Sequence, residues 1–338
     1  MRAMTDMQYR SLDTAIPQVS VFSLGSWNTW SRVPFEQTVS VLARALELGI
    51  NLFDIAYYWD KPHTEVIFGR ALQVVGAQRE RYLLAEKLWL WDYPQQSFRA
   101  QLEGALTRLG VEYIDIAMVS RPLPGMEFER FCDEVIGLID LGLVRAWGVT
   151  NWDASMIVAA HDRLQPLGRP LPRLVQLQYN VARRSVVESS EYRQMFATTP
   201  IRLCAAHTME GGILAGHLQR NRVDPVDFAA GKVPHERNIA RDAGGIREQI
   251  RDRYRQLEAI ATEFSATPAQ IALAFCLCHP AIATVLFGVT RQENLEENIR
   301  ALDLLKYRDQ LLAAVAPLSI AQVAHPQLFT PHASTERR

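Results

Sequence analysis

The chain has 338 residues, 48% of them hydrophobic and 22% charged, the balance of an ordinary globular protein. A net charge of −1 excludes a bulk electrostatic pull toward nucleic acid or an anionic membrane. No apolar run approaches the ~20 residues a membrane span requires. The opening "MRAMTDMQYR" has no apolar core of a secretory signal, and the four cysteines (Cys132, Cys204, Cys276, Cys278) stand in apolar surroundings. Both features point to reduced thiols in a cytoplasmic protein.

In chain order, short apolar or β-branched runs occur at 19–25 (VSVFSLG), 49–56 (GINLFDIA), 81–87 (RYLLAEK) and 113–120 (YIDIAMVS). Four more follow at 144–150 (VRAWGVT), 174–180 (LVQLQYN), 201–206 (IRLCAA) and 282–288 (IATVLFG). Between them lie amphipathic stretches of helical period, such as FEQTVSVLARALELG, SFRAQLEGALTRLG and FERFCDEVIGLIDLG. These helices run into Gly49, Gly110 and Gly142, which suit a left-handed cap. Eight runs alternating with helices, each apolar enough to be covered on both faces, predict a parallel sheet, and eight strands close a (β/α)8 TIM barrel. An open doubly wound sheet is the competing arrangement, but no GxGxxG follows the first run. Residues 207–245 break the rhythm with Gly, Arg and Pro and no clear period. At the end of the seventh run such a loop covers a cofactor or substrate, or is a mobile insertion. No linker divides the rest, so 1–338 reads as one domain.

Several motifs together resemble the aldo-keto reductase superfamily, especially its branch of potassium-channel beta subunits and related bacterial proteins. "YRSLDTAIPQVSVFSLGSW" resembles that family's N-terminal hairpin and first strand, and "GINLFDIAYYWDKPHTEVIFGRAL" its signature around a catalytic aspartate. "YIDIAMVSRPLPG", "WGVTNW", "VQLQYN" and "GVTRQENLEENI" resemble its later landmarks in the same order. The resemblance covers about residues 8–301. It implies the barrel with an N-terminal β-hairpin, and a nicotinamide cofactor, usually NADP(H), across the C-terminal face.

In that family a tyrosine gives a proton to the substrate carbonyl as hydride arrives. A lysine paired with an aspartate lowers the tyrosine's pKa, and a histidine orients the carbonyl. Free phenol ionises near pH 10, so it needs a nearby cation to work at neutral pH. By position the aspartate is Asp54 and the lysine Lys87. Alone, the first has an ordinary reading as a helix cap and the second as a solvated strand end. Together, at adjacent strand ends, they predict a buried ion pair. The tyrosine position holds Trp59, with Glu65 and Gly69 fixing the register without a gap, and the histidine position holds Ser120. Channel beta subunits also depart from histidine there, but the loss of the tyrosine is the larger change. An indole N–H cannot protonate an alkoxide usefully. Tyr58, His63, His207 and Lys87 itself are the remaining acids, each histidine also reading as a plain loop residue.

The resemblance also maps a cofactor site. Thr290, Arg291, Asn294, Glu297 and Asn298 take the positions that hold an adenosine 2′-phosphate, and a helix N-terminus beside a hydroxyl and a guanidinium suits an anion. Thr290 with Glu293 also reads as a capping box. Thr150, Asn151 and Gln176 take the positions that grip the nicotinamide carboxamide, and Ser26 and Trp27 end the first strand beside its reactive end. "GGILAG", with Gly212, Leu214 and Gly216, resembles the segment over the pyrophosphate, and His217 stands where a lysine is common. The aromatic ring that packs on the nicotinamide is replaced by Ala206, with His207 next to it.

Three functions fit. The first is an NADP(H)-dependent oxidoreductase with an unusual proton donor, acting on a small carbonyl, imine or alkene. The second is a lyase, dehydratase or isomerase using Lys87 and Asp54. The third is a non-catalytic NADP(H)-binding protein that reports redox state to a partner. Trp27, Trp30, Tyr57, Trp59, Trp89 and Trp91 suggest an apolar or aromatic substrate at the mouth, or simple rim packing. The expected partner is a small molecule and not nucleic acid or membrane. The oligomeric state, including a homo-oligomer, stays open.

Overall fold

A computed structural model describes residues 6–27, 29–57, 63–90, 96–122, 126, 128–219 and 246–321. The chain opens with a hairpin of β1 (Tyr9–Arg10) and β2 (Val19–Ser20), antiparallel, with Tyr9 opposite Ser20. Eight further strands follow: β3 (Phe22–Gly25), β4 (Leu52–Ile55), β5 (Leu83–Leu88), β6 (Ile114–Ser120), β7 (Val144–Thr150), β8 (Leu174–Gln178), β9 (Arg202–Ala206) and β10 (Ile282–Phe287). Each pairs in parallel with its neighbours, and β10 pairs with β3, which closes the barrel. All eight predicted runs supply a barrel strand. The first run is divided, Val19 and Ser20 joining the hairpin and Phe22 onward the barrel.

Helices alternate with the strands. They are α1 (Phe35–Glu47), α2 (Thr64–Val75), α3 (Phe98–Leu109), α4 (Phe128–Asp140), α5 (Ala154–Leu164) and α6 (Ser190–Thr198). After β9 come α7 (Ile246–Glu263) and α8 (Pro268–Leu277), and after β10 come α9 (Gln292–Ile299) and α10 (Arg308–Val315). This is the (β/α)8 TIM barrel. Gly49, Gly110 and Gly142 take the left-handed conformation at φ 81°, 70° and 72°, the geometry that helix ends favour and other residues resist. Thr267 and Gln270 bond reciprocally and start α8. Among the described residues, no single helix is long and apolar enough to cross a membrane.

Strand alternation sorts side chains into two buried sets. Phe53, Leu84, Val119, Trp147, Val175 and Val285 face the helices in one large apolar cluster. Leu52, Ala85, Ile116, Met118, Ala146 and Leu174 fill the barrel interior, joined by Leu12, Ile16 and Val19 of the hairpin. The hairpin is tied beneath the barrel by Ser20 and Asn51, whose backbone N–H groups donate to each other's side-chain oxygens at 2.8 and 3.0 Å. An Arg173–Asp13 ion pair at 3.0 Å fastens its loop. Gly69 lets α2 touch α3, since a Cβ there would lie 2.4 Å from the Leu109 carbonyl oxygen.

Candidate active site

The parity that sends Leu52, Ala85, Met118, Ala146 and Leu174 inward also governs the residues an even number of positions further along each strand. Asp54, Lys87, Ser120, Thr150 and Gln176 therefore converge at the C-terminal end of the barrel interior. All five are buried. Lys87 Nζ donates to both carboxylate oxygens of Asp54, at 2.6 and 2.5 Å, on adjacent strands. The predicted ion pair is thus formed, two-toothed and out of water, where such a contact is shortest and strongest.

Ser120 is held at both ends. Its Oγ accepts the Leu90 backbone N–H at 2.9 Å, and its carbonyl accepts the Trp152 indole N–H at 2.9 Å. Tyr192 in turn donates to the Trp152 carbonyl at 2.7 Å. Opposite Ser120 in the register stands Thr150, whose buried hydroxyl has no hydrogen-bond partner among the described residues. A buried hydroxyl without a partner is costly and leaves a hydrogen bond that a ligand group could take up. Asn151 has φ 59°, and its N–H donates to the Gln176 carbonyl at 3.0 Å. Ser26 is buried at the end of β3, with its N–H donating to the Asp54 carbonyl at 2.9 Å.

The candidate proton donors separate. Tyr58 and Trp59 lie outside the described residues. Tyr57 lies against the Arg108 guanidinium, 5.0 Å from the ring centre, with its carbonyl accepting the Trp89 indole N–H at 3.0 Å. His63 is exposed at the start of α2. His207, at φ 53°, packs edge-on against Trp27 with ring centres 5.5 Å apart, so it shares the rim beside β3. Next to it Ala206 is buried. Of the aromatic rim, Trp30 is a correction: it is 1% exposed and packs on Phe68 at 5.9 Å, in the core between α1 and α2. Trp91 lies outside the described residues.

At the other end of the predicted cofactor path, α9 begins at Gln292 with Arg291 as its cap residue, whose side chain makes no capping hydrogen bond. The Thr290–Glu293 capping box therefore does not form. Ser40 instead reaches Gln292 at 3.0 Å, and Arg44 reaches Glu296 at 2.7 Å, joining α1 to α9. Arg291, Asn294 and Glu297 are exposed, Thr290 is half-buried and Asn298 is buried. Gly212, Leu214 and Gly216 lie in a 3-10 turn, Glu210–Ala215, and its cap; His217 is exposed. Of the loop 207–245, residues 220–245 lie outside the described residues.

Three features had no sequence signal strong enough to find them. Cys204 faces the interior beside Gln176, and burial, with the Asp54 charge adding to it, pushes its thiol up to about 12. It remains a neutral thiol, not a nucleophile. On the outer wall, Glu65 is bound by Arg108, and Glu86 is buried close by. Behind the rim, Arg183 grips Glu210 with two hydrogen bonds of 2.9 Å.

The family model described as "Aldo/keto reductase family" matches residues 22–319. The chain is 28% identical over 312 residues to a "Probable voltage-gated potassium channel subunit beta" of Oryza sativa subsp. japonica, across 88% of this chain and 92% of that one. A protein of the same description from Arabidopsis thaliana is 28% identical over 313 residues, with the same coverage of both chains. A "Putative voltage-gated potassium channel subunit beta" of Schizosaccharomyces pombe is 27% identical over 321 residues, across 89% of each chain.

Proposed function

The chain belongs to the aldo/keto reductase family, a family of NAD(P)-dependent oxidoreductases, and we propose that it is an NADP(H)-dependent reductase of a small apolar or aromatic carbonyl, imine or alkene. The observation that carries this reading is the buried Lys87–Asp54 pair at the same end of the barrel as the buried Thr150 hydroxyl, which has no partner among the described residues. A nicotinamide dinucleotide, when bound, supplies hydride. The chain's own residues hold it and manage the charge that appears on the substrate. Thr150, Asn151 and Gln176 offer a hydroxyl, an amide and a second amide to a carboxamide. Thr290, Arg291 and the uncapped start of α9 offer a hydroxyl, a guanidinium and N–H groups to a phosphate, with Asn294, Glu297 and Asn298 around it.

As hydride arrives, negative charge grows on the substrate oxygen or nitrogen. The Lys87 ammonium, fixed by Asp54, stabilises that charge in a site shielded from water. The Ser120 hydroxyl, its oxygen anchored by Leu90 N–H, keeps its own proton for a hydrogen bond to the same atom. The proton comes from a group other than Trp59: Tyr58, His63, His207 or Lys87.

A second reading is supported by the relatives, which are described as voltage-gated potassium channel beta subunits, and by Trp59 and Ser120 themselves. In it the chain binds NADP(H) without turnover and presents its redox state to another protein. Fluorescence titration with NADPH and NADH, followed by aldehyde reduction in the variant Trp59→Tyr/Ser120→His, tests both. Saturable binding that favours NADPH is expected, together with wild-type turnover of at least one imine, alkene or aromatic carbonyl. Binding without turnover of any substrate, with aldehyde reduction gained in the variant, selects the second reading. Absence of binding to either nucleotide removes both and leaves Lys87 and Asp54 as an acid–base pair for elimination or isomerisation.

A further inference from the structure

We infer that Arg183 and Glu210 are positioning residues, which set the turn 207–212 and with it the His207 ring at the mouth of the barrel. This role rests on the reading of the mouth as a dinucleotide site.

The turn is expensive to form. Within six residues, His207, Glu210, Gly211 and Gly212 take positive φ, at 53°, 50°, 67° and 104°. Two of these are not glycine, and such residues hold a left-handed backbone only where their surroundings over-determine it. The surroundings here are a buried polar clamp. Arg183 Nε and a terminal guanidinium nitrogen donate to the two Glu210 carboxylate oxygens at 2.9 Å each, with the side chains 2% and 0% exposed. Asn180 Nδ2 donates both to Glu210 Oε2 and to the His207 carbonyl, at 3.0 Å each, and Gln178 Nε2 reaches Oε2 at 3.4 Å. Asn180 Oδ1 closes the circuit by accepting the backbone N–H groups of Ala182 and Arg183 at 3.0 and 2.9 Å. From the opposite side the Thr208 hydroxyl donates to the Leu286 carbonyl at 3.0 Å.

The segment after β8 therefore dictates the shape of the turn after β9, and the fixed end of that turn carries His207, packed on Trp27. Charge explains why a bidentate arginine is used. A buried carboxylate at the root of a turn that approaches a dinucleotide would repel its phosphates, and Arg183 cancels that charge at contact distance. The clamp acts on the central and nicotinamide portions of the ligand and lies apart from α9, where the adenosine 2′-phosphate would sit.

The test compares wild type with Arg183→Met, Glu210→Gln, His207→Ala and the double variant Arg183→Met/His207→Ala. Amide hydrogen exchange of the ligand-free protein, followed over peptides spanning 205–216, should quicken by about tenfold or more in Arg183→Met, while β4 and β5 peptides keep the wild-type rate. Titration should show NADPH bound about tenfold more weakly, and adenosine 2′,5′-bisphosphate, which reaches only the α9 end, bound within about twofold of wild type. Because Arg183 acts through the turn, adding Arg183→Met to His207→Ala should weaken NADPH binding by less than it does alone. Equal loss of NADPH and bisphosphate affinity, strictly additive losses, or unchanged exchange at 205–216 would overturn the role. Should Arg183→Met fail to fold, Glu210→Gln, which keeps the shape and removes the charge, reads out the same quantities. A wild-type protein that binds no NADPH defeats the dinucleotide reading alone, and the exchange measurement still decides whether the pair fixes the turn.

Discussion

Two neighbours on β5 meet opposite fates. Lys87 points into the barrel and finds one carboxylate, Asp54, which takes its charge one for one. Glu86 points out, between the barrel wall and the helices, where two carboxyl groups share one guanidinium. Arg108 goes to Glu65. Glu86 keeps only the Lys87 backbone N–H, on Oε1 at 3.1 Å, and its Oε2 has no partner among the described residues. Burial, and then the Glu65 charge, hold the Glu86 carboxyl well above the usual carboxylate range, with the Lys87 charge pulling the other way. Burial alone does not decide the state of a charge. The count of partners does, and the two faces of one strand show both results.

The contrast breaks most sharply at Lys87. Lys87→Met strands Asp54 as a lone buried carboxylate, which should cost about 3–5 kcal/mol in urea unfolding. Single-turnover cofactor oxidation should slow by about 10²–10⁴-fold. Lys87→Met/Asp54→Asn should regain most of the stability and none of the rate; turnover that survives in it removes Lys87 from the chemistry. On the outer face Arg108→Met should cost about 2–3 kcal/mol at pH 8. That loss should shrink as pH falls, because the folded pKa values of Glu65 and Glu86 are raised above the unfolded value near 4.5, and a Glu65 that takes up a proton no longer needs the guanidinium. Gly69→Ala, which drives a methyl into the Leu109 carbonyl, should cost about 1–3 kcal/mol and loosen the helix pair that covers Glu65.

The smallest effect sharpens the comparison most. Glu86→Gln keeps an acceptor for the Lys87 N–H and removes the ionisable proton, so at pH 5 it should lie within about 0.5 kcal/mol of wild type. A carboxyl whose folded pKa is raised binds its proton more tightly in the folded state. Wild-type stability therefore falls as pH rises above the unfolded value near 4.5 and continues to fall up to the folded pKa. Melting curves between pH 5 and pH 8 should show the variant losing less than wild type. Parallel curves would mean that Glu86 is ionised throughout.

The barrel was legible because its signal repeats. Eight apolar runs at regular spacing and glycine-terminated helices survive errors at any one boundary, whereas Asp54 and Lys87 were legible through the resemblance to the family's motifs. The outer-wall cluster was hidden. A strand covered on both faces shows no polar and apolar alternation, so the sequence "LLAEK" does not say which of Glu86 and Lys87 faces in. Arg183 and Glu210 lie 27 positions apart in two connecting segments, where no period relates one residue to another. The start of α9 was misplaced by one residue because Thr290 has the chemistry of a cap, while the observed cap is Arg291 and the tie from Ser40 to Gln292 comes from a distant helix. Trp30 reads as a mouth or rim residue until Phe68 is seen against it.

The hairpin under the barrel bears on the kinetics. With Leu12, Ile16 and Val19 packed into the interior from below, the described residues leave the interior to be reached from above Lys87 and Asp54, if it takes the ligands proposed. Whichever molecule lies deeper must arrive first and depart last. Steady-state rates should therefore follow a compulsory order of binding and release, with the last product to leave competing directly against the first ligand to enter.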